Sequence, residues 1–184
     1  MSQPRDDISR AIGDLEALVS APERGLPEEL LLLVSRLTPL VNVDLLIQDS
    51  DGRTLLTWRH DRFYGPGWHI PGGIIRYKEK ALDRIHAVAL QELFAEVEPE
   101  AAPLLVREYI DLPAKERGHF VSLLYRCRLL TPLDPARRFV PQAPQPDQWK
   151  WHERCPDNLI AQQLEYGTYF SGNYPLDSHA RKGK

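Results

Sequence analysis

The segment Gly67-Trp68-His69-Ile70-Pro71-Gly72-Gly73 constrains this chain more than any other. Five intervening residues separate its glycine pair from Glu79, and the run from Glu79 to Glu96 holds neither glycine nor proline. A glycine pair after proline marks a turn that lets backbone come close to a neighbour, and an uninterrupted run of this kind reads as a helix. The spacing therefore predicts a turn feeding a helix that carries Glu92 among small apolar residues. At 100° per residue, Ala81, Ile85, Val88 and Ala89 fall within about 60° of Glu92, so the carboxylate shares a face with residues that pack on a sheet. An ionised group there is costly unless an arginine, several amide donors or a metal ion meets it. Helix geometry alone does not choose among these.

Upstream, Ile8, Ile12, Leu15 and Leu18 recur at near-helical spacing between Asp6 and Val19, and Pro22 and Gly25 end that segment. A second helix is predicted over Pro27 to Leu37, with Pro27 at its first position and two acids in its first turn. The period then changes. Val41 to Gln48 is rich in Val, Ile and Leu, Asp49-Ser50-Asp51-Gly52 is a turn signal, and Thr54 to Arg59 reads as a returning strand, so a hairpin is predicted. Leu104 to Ile110, Phe120 to Leu130 and the short Trp149 to His152 are further predicted strands, the second alternating at Val121, Leu123 and Tyr125. A last helix is predicted over Pro156 to Glu165. Past Tyr169 the chain turns polar and ends in Arg-Lys-Gly-Lys, the composition of a disordered tail. This order predicts a mixed sheet with helices on both faces.

At 184 residues and 42% hydrophobic content, the chain suffices for one substantial core and not for two ordinary domains. A net charge of −3 without a long Lys/Arg block argues against nucleic acid as a partner. Cys127 and Cys155 are too few and too far apart for a zinc site or disulfide framework, so reduced thiols are expected. The opening Met-Ser-Gln-Pro-Arg-Asp-Asp lacks the basic and apolar regions of a signal peptide, and no apolar run reaches the roughly 18 residues of a membrane span. A cytoplasmic protein with no membrane partner is the expectation.

The set Trp68-x-x-Pro71-Gly72-Gly73-x5-Glu79 resembles the opening of a Nudix box, whose pattern runs Gly-x5-Glu-x7-Arg-Glu-U-x-Glu-Glu-x-Gly-U, with U a bulky aliphatic residue. Gly73, Glu79 and Glu92 match, whereas Ala87, Val88, Gln91 and Phe94 do not, so the box is degenerate. The resemblance implies an α/β (α+β) fold: the Nudix-type α/β/α sandwich with a mixed β-sheet over 38–170, plus an N-terminal helical extension over 1–37 and a polar C-terminal tail over 171–184. Within that superfamily, Thr38 to Glu96 is similar to the GDP-mannose mannosyl hydrolases, and the likeness weakens through Trp151. Those enzymes also lack one of the helix glutamates. In them water attacks the anomeric carbon of the sugar, with inversion, while the metal and arginines stabilise the departing nucleoside diphosphate.

This resemblance implies Mg²⁺, with Mn²⁺ as a substitute, held by Gly73, Glu92 and Gln145. Arg59, and with it Arg62, would hold the diphosphate; Asp44 occupies the family's strand aspartate on the substrate side; Glu79 would orient the loop or help the metal. Where the resembled enzymes place a histidine base after the loop glutamine, this chain has Pro146, which cannot take a proton. Asp147 is the first stand-in for that base, and His152 and His119 are others, because a base needs reach to the water rather than a set place in the chain. Plainer readings stand beside these. Arg59 and Arg62 read equally as solvated charges at a strand end, Asp44 as an edge-strand guard against aggregation, Trp68 and Tyr64 as aromatic packing around a turn, and His69 as a packed or exposed histidine. The paired glutamates of phosphorus-attacking Nudix enzymes fall here at Val88 and Glu92, so a second metal is not expected. Hydrolysis of a nucleoside diphosphate sugar, GDP-mannose-like, is the leading expectation. A non-catalytic nucleotide-sugar binding or regulatory module is the alternative, and a pyrophosphatase acting on substrates such as ADP-ribose a lesser one. A homodimer is compatible with the resembled family.

Overall fold

A computed structural model describes residues 3–170. In chain order its elements are α1 (Gln3–Ala17), α2 (Glu28–Leu37), β1 (Leu40–Ile47), β2 (Thr54–Arg59), β3 (Gly67–His69), β4 (Gly72–Ile74), α3 (Ala81–Val88) continued by a π-helical turn (Ala89–Leu93), β5 (Val97–Pro99), β6 (Leu105–Ile110), β7 (His119–Leu129), β8 (Trp149–His152) and a 3-10 helix (Ala161–Tyr169). β1 lies between β4, antiparallel, and β7, parallel, while β5 and β6 pair antiparallel with different stretches of β7. A second sheet has the order β3-β2-β8.

The composition of β1 explains why it is central. Val43, Leu45 and Ile47 face Ile85 and Val88 of α3, while Leu46 faces Tyr166, Tyr169 and Phe170 of the C-terminal segment. Both faces of the strand are covered, which suits its near-continuous apolar run. The sheet is mixed and helices cover it on both faces, as the α/β/α sandwich requires.

Several local expectations are corrected. β1 and β2 do not form a hairpin; a single bridge, Gln48 to Thr54, joins them before they enter different sheets. β7 takes one edge of β1 along its length and β4 the other at Asn42–Asp44, while β2 pairs on its two sides with β3 and β8. For the same reason Asp44 is not an edge-strand guard. The helix after Glu79 is α-helical only from Ala81 to Val88, and Glu79 precedes it; in the wider turn that follows, Phe94 N–H donates to Ala89 O, and Phe94 itself is left-handed at φ 53°. Pro156 opens no helix. Trp68 N–H donates to Asn158 O and Ile160 N–H to Trp68 O, each at 2.9 Å, which commits that backbone to strand-like pairing until the 3-10 helix begins at Ala161. Pro27 caps α2 rather than opening it. β3, β4 and β5, three residues each, are too short for periodicity to reveal. The predicted tail over 171–184 lies outside the described residues. Among the described residues no helix is long and apolar enough to cross a membrane.

Candidate active site

A cavity of about 410 Å³ is lined by residues of both sheets, the π-helical turn, the loop before β8 and the 3-10 helix. Strand alternation sends Asp44 to the face opposite Val43 and Leu45, toward the C-terminal segment. There its carboxylate, 4% exposed, accepts hydrogen bonds from Tyr166 Oη at 2.8 Å, Gln163 Nε2 at 3.2 Å and Asn42 Nδ2 at 3.2 Å. Burial is the larger influence and lifts its pKa to about 6 against the pull of those donors. Gln163 also fastens Ile70, donating to its carbonyl at 3.1 Å and accepting from its N–H at 2.7 Å. The 3-10 helix is therefore the floor of the site.

The glycine pair is required by contact. A Cβ on Gly72 would fall on Asp44 Oδ1 and within 2.8 Å of Val43 O, and one on Gly73 would come within 2.8 Å of Val88 Cγ2. Only glycine lets β4 lie this close to both β1 and α3. The loop beyond is closed by Glu79, which accepts from Arg76 N–H at 2.8 Å and forms a two-pronged pair with Arg84 at 2.8 and 2.6 Å. Arg84 is 3% exposed. Glu79 orients the loop and does not line the cavity.

Glu92 does line it. Among the described residues its oxygens accept only long bonds, from Gly72 N–H at 3.4 Å and Thr57 Oγ1 at 3.3 Å. His69 Nε2 is 3.7 Å away and hydrogen bonded to Thr57 Oγ1 at 2.9 Å, but burial, then Arg59, pushes the His69 pKa down to about 3 and keeps the ring neutral. Among the described residues no Lys or Arg pairs with Glu92, and burial, then Asp147, raises its pKa to about 8. Asp147 is held at φ 62° in the loop before β8 and lines the same cavity. Among the described residues no cluster of three or more His, Cys, Asp or Glu is placed to hold a metal. A half-buried, half-satisfied carboxylate beside a glycine backbone still fits one hard cation completed by substrate oxygens. Val88, 2% exposed in the core, leaves no second carboxylate on that helix face.

On the opposite wall Arg59 pairs with Asp61 at 2.5 Å and lies over the Tyr64 ring at 4.8 Å. The structure thus brings Asp44, Arg59, Gly73, Glu92 and Asp147 to one cavity. It does not bring Arg62, which pairs with Glu28 of α2 at 2.5 Å, or Gln145, whose N–H donates to Gln148 Oε1 in an exposed loop. His119 pairs with Glu108 at 2.9 Å, and His152 packs 4.4 Å from the Trp68 ring, so neither faces the cavity. Trp68 packs against Trp58 and Phe139 in the core. Lining residues that the sequence reading missed are Tyr109, Arg117, Gln162 and Gln163. Nothing in the sequence pattern around Arg117, Gln162 or Gln163 pointed inward.

The family model described as NUDIX domain matches residues 38–154. No curated protein matches the sequence. Among solved structures, the chain is similar to a Jonesia denitrificans protein described as a possible asymmetric diadenosine tetraphosphate hydrolase, at 22% identity and TM-score 0.57, over 77% of this chain and 99% of that one. A MutT NUDIX hydrolase from Burkholderia pseudomallei aligns at 22% identity and TM-score 0.52, over 69% of this chain and 95% of that one. A UDP-X diphosphatase aligns at 16% identity and TM-score 0.52 over 94% of this chain and 83% of that one, a span that takes in the helices before residue 38.

Proposed function

Since this chain belongs to the NUDIX domain family and is a hydrolase, we propose that it hydrolyses a nucleoside diphosphate sugar of the GDP-mannose kind with one Mg²⁺. The observation that carries this reading is Glu92, a lone helix carboxylate, half-buried and with no Lys or Arg paired to it among the described residues, that shares its cavity with Asp147 and Arg59. Glu92 and the backbone of Gly73 would hold the cation, which supplies charge neutralisation for the diphosphate. Arg59 offers a planar fork of donors to the same group. Asp147 would accept a proton from water as its oxygen bonds to the anomeric carbon. The bond from that carbon to the diphosphate oxygen breaks, leaving free sugar and nucleoside diphosphate. Asp44, held by three donors, keeps β1 and the 3-10 helix in register around the substrate.

The absence of a second carboxylate at Val88 favours departure of the diphosphate over attack at phosphorus. The test is turnover of GDP-mannose with Mg²⁺, products separated, by the unaltered protein and by Glu92→Gln. Free mannose with intact GDP, lost in the variant, is the expected result. Mannose 1-phosphate with GMP would replace this reading with a pyrophosphatase, and undiminished turnover by Glu92→Gln would refute the metal role.

A further inference from the structure

Two loops meet at the mouth of the cavity, and both are tied to α2, which precedes the family match. The turn between β6 and β7 carries Arg117, whose guanidinium lies 4.9 Å from the Phe63 ring, 5.3 Å from Tyr64 and 6.0 Å from Phe120. Arg117 lines the cavity, and its Nε is buried with no hydrogen-bond partner among the described residues. Arg59 lies over the same Tyr64 ring, but Asp61 answers it at 2.5 Å. Two guanidiniums therefore flank one ring, and of the two only Arg59 has an ion-pair partner among the described residues. Asp61 and Glu28 act on Arg117 only from a distance, while burial, chiefly, and Arg59 lower its pKa.

The backbone around this cation is fixed at several points. Arg117 is left-handed at φ 53°, its N–H donates to Ser35 Oγ of α2 at 3.1 Å, and its carbonyl accepts from Tyr64 Oη at 3.1 Å. The adjacent Glu116 pairs with Arg36 of α2 at 2.7 Å. In the facing loop Arg62 pairs with Glu28, also of α2. A half-buried cation whose Nε is shut off from water without a counter-charge destabilises a fold, and an arriving anion relieves that penalty.

We propose that Arg117 is a substrate ligand that grips the diphosphate opposite Arg59, and that α2 positions it there. The proposal rests on the reading of the cavity as a nucleoside diphosphate site. It assigns a binding role to a turn residue and a positioning role to a helix outside the family match.

The test is calorimetric titration of inorganic pyrophosphate, and of GDP, into the full chain and into Arg117→Met and Arg117→Lys, with melting temperatures of the ligand-free proteins. Methionine keeps the apolar stem against the rings and removes the charge. Pyrophosphate affinity should fall about tenfold to a hundredfold in Arg117→Met, as expected for loss of charge-assisted hydrogen bonds, and less in Arg117→Lys. The ligand-free Arg117→Met should melt at the same or a higher temperature, whereas a merely structural arginine would lower it. Unchanged pyrophosphate affinity in Arg117→Met, or no binding of pyrophosphate and GDP by the unaltered protein, overturns the proposal. Pyrophosphate binding that depends on Arg117, without turnover of GDP-mannose, would support it while striking only the sugar hydrolase reading.

Discussion

His152 packs against Trp68, its Nε2 buried without a hydrogen-bond partner among the described residues, and burial, then Lys150, holds its pKa down at about 4. The unfolded chain binds a proton near the ordinary histidine value of 6.5 while the folded one stays neutral. Stability from this residue is therefore complete above that value and lost as pH falls toward 4. Between pH 7 and pH 5 the loss is on the order of 2 kcal/mol. Replacing His152 by phenylalanine should flatten the decline; urea unfolding of both proteins at the two pH values measures it, and parallel declines would refute the assignment. Asp44 works with the opposite sign. Its pKa is raised to about 6, so the folded protein keeps a proton that the unfolded chain has already released, and stability falls as pH rises from the ordinary carboxylate value to about 6.

The loop and helix after the glycine pair form the element that ties fold to site. Glu79 and Arg84 fasten it, and Arg84 is 3% exposed. Breaking such a buried pair by Glu79→Gln strands the guanidinium and should cost about 3–5 kcal/mol, whereas Glu79→Leu combined with Arg84→Met should recover much of it. Chemical unfolding of the three proteins checks this, and a loss below about 1 kcal/mol in the single variant would contradict it. Elements of this kind were legible where local pattern decides. The runs of β2 and β8, the two N-terminal helices and the turn into α3 follow from period and punctuation. Strand pairing was not legible, because the choice of neighbours for β1 depends on β4 and β7, which lie far along the chain. The helix periodicity that set Glu92 beside Ala81 and Val88 ignored the π-helical turn, a feature frequent at functional sites. That wider turn accompanies a carboxylate directed at Gly72 N–H and Thr57 rather than packed on the sheet. In the site itself, strand and box residues such as Asp44, Arg59, Gly73 and Glu92 could be found by motif. Arg117 could not, since its position depends on the hairpin folding back onto α2.

At the scale of the whole molecule the two N-terminal helices differ in what they do. Ile8 is 61% exposed, Ile12 50% and Leu18 73%, so α1 adds little buried surface to the body, although Leu15 and Leu18 border a groove with Leu30 and Leu33 of α2. α2 buries Leu32 and Ser35 and ties both cavity loops. Removing residues 1–18 should therefore shift the melting temperature by less than about 2 °C, with turnover unchanged. The link through α2 is tested separately. Arg36 and Glu116 are 42% and 37% exposed, so their pair contributes at most about 1 kcal/mol, and reversing Arg36 to glutamate should raise KM for the substrate by no more than about fivefold. The partner change Glu116→Arg in the same chain restores the pair with inverted charge and should return KM to its original value, with kcat unmoved throughout. KM unaffected by Arg36→Glu, or a rise that the second change fails to rescue, would show that the helix holds up the fold without setting the loop that presents Arg117.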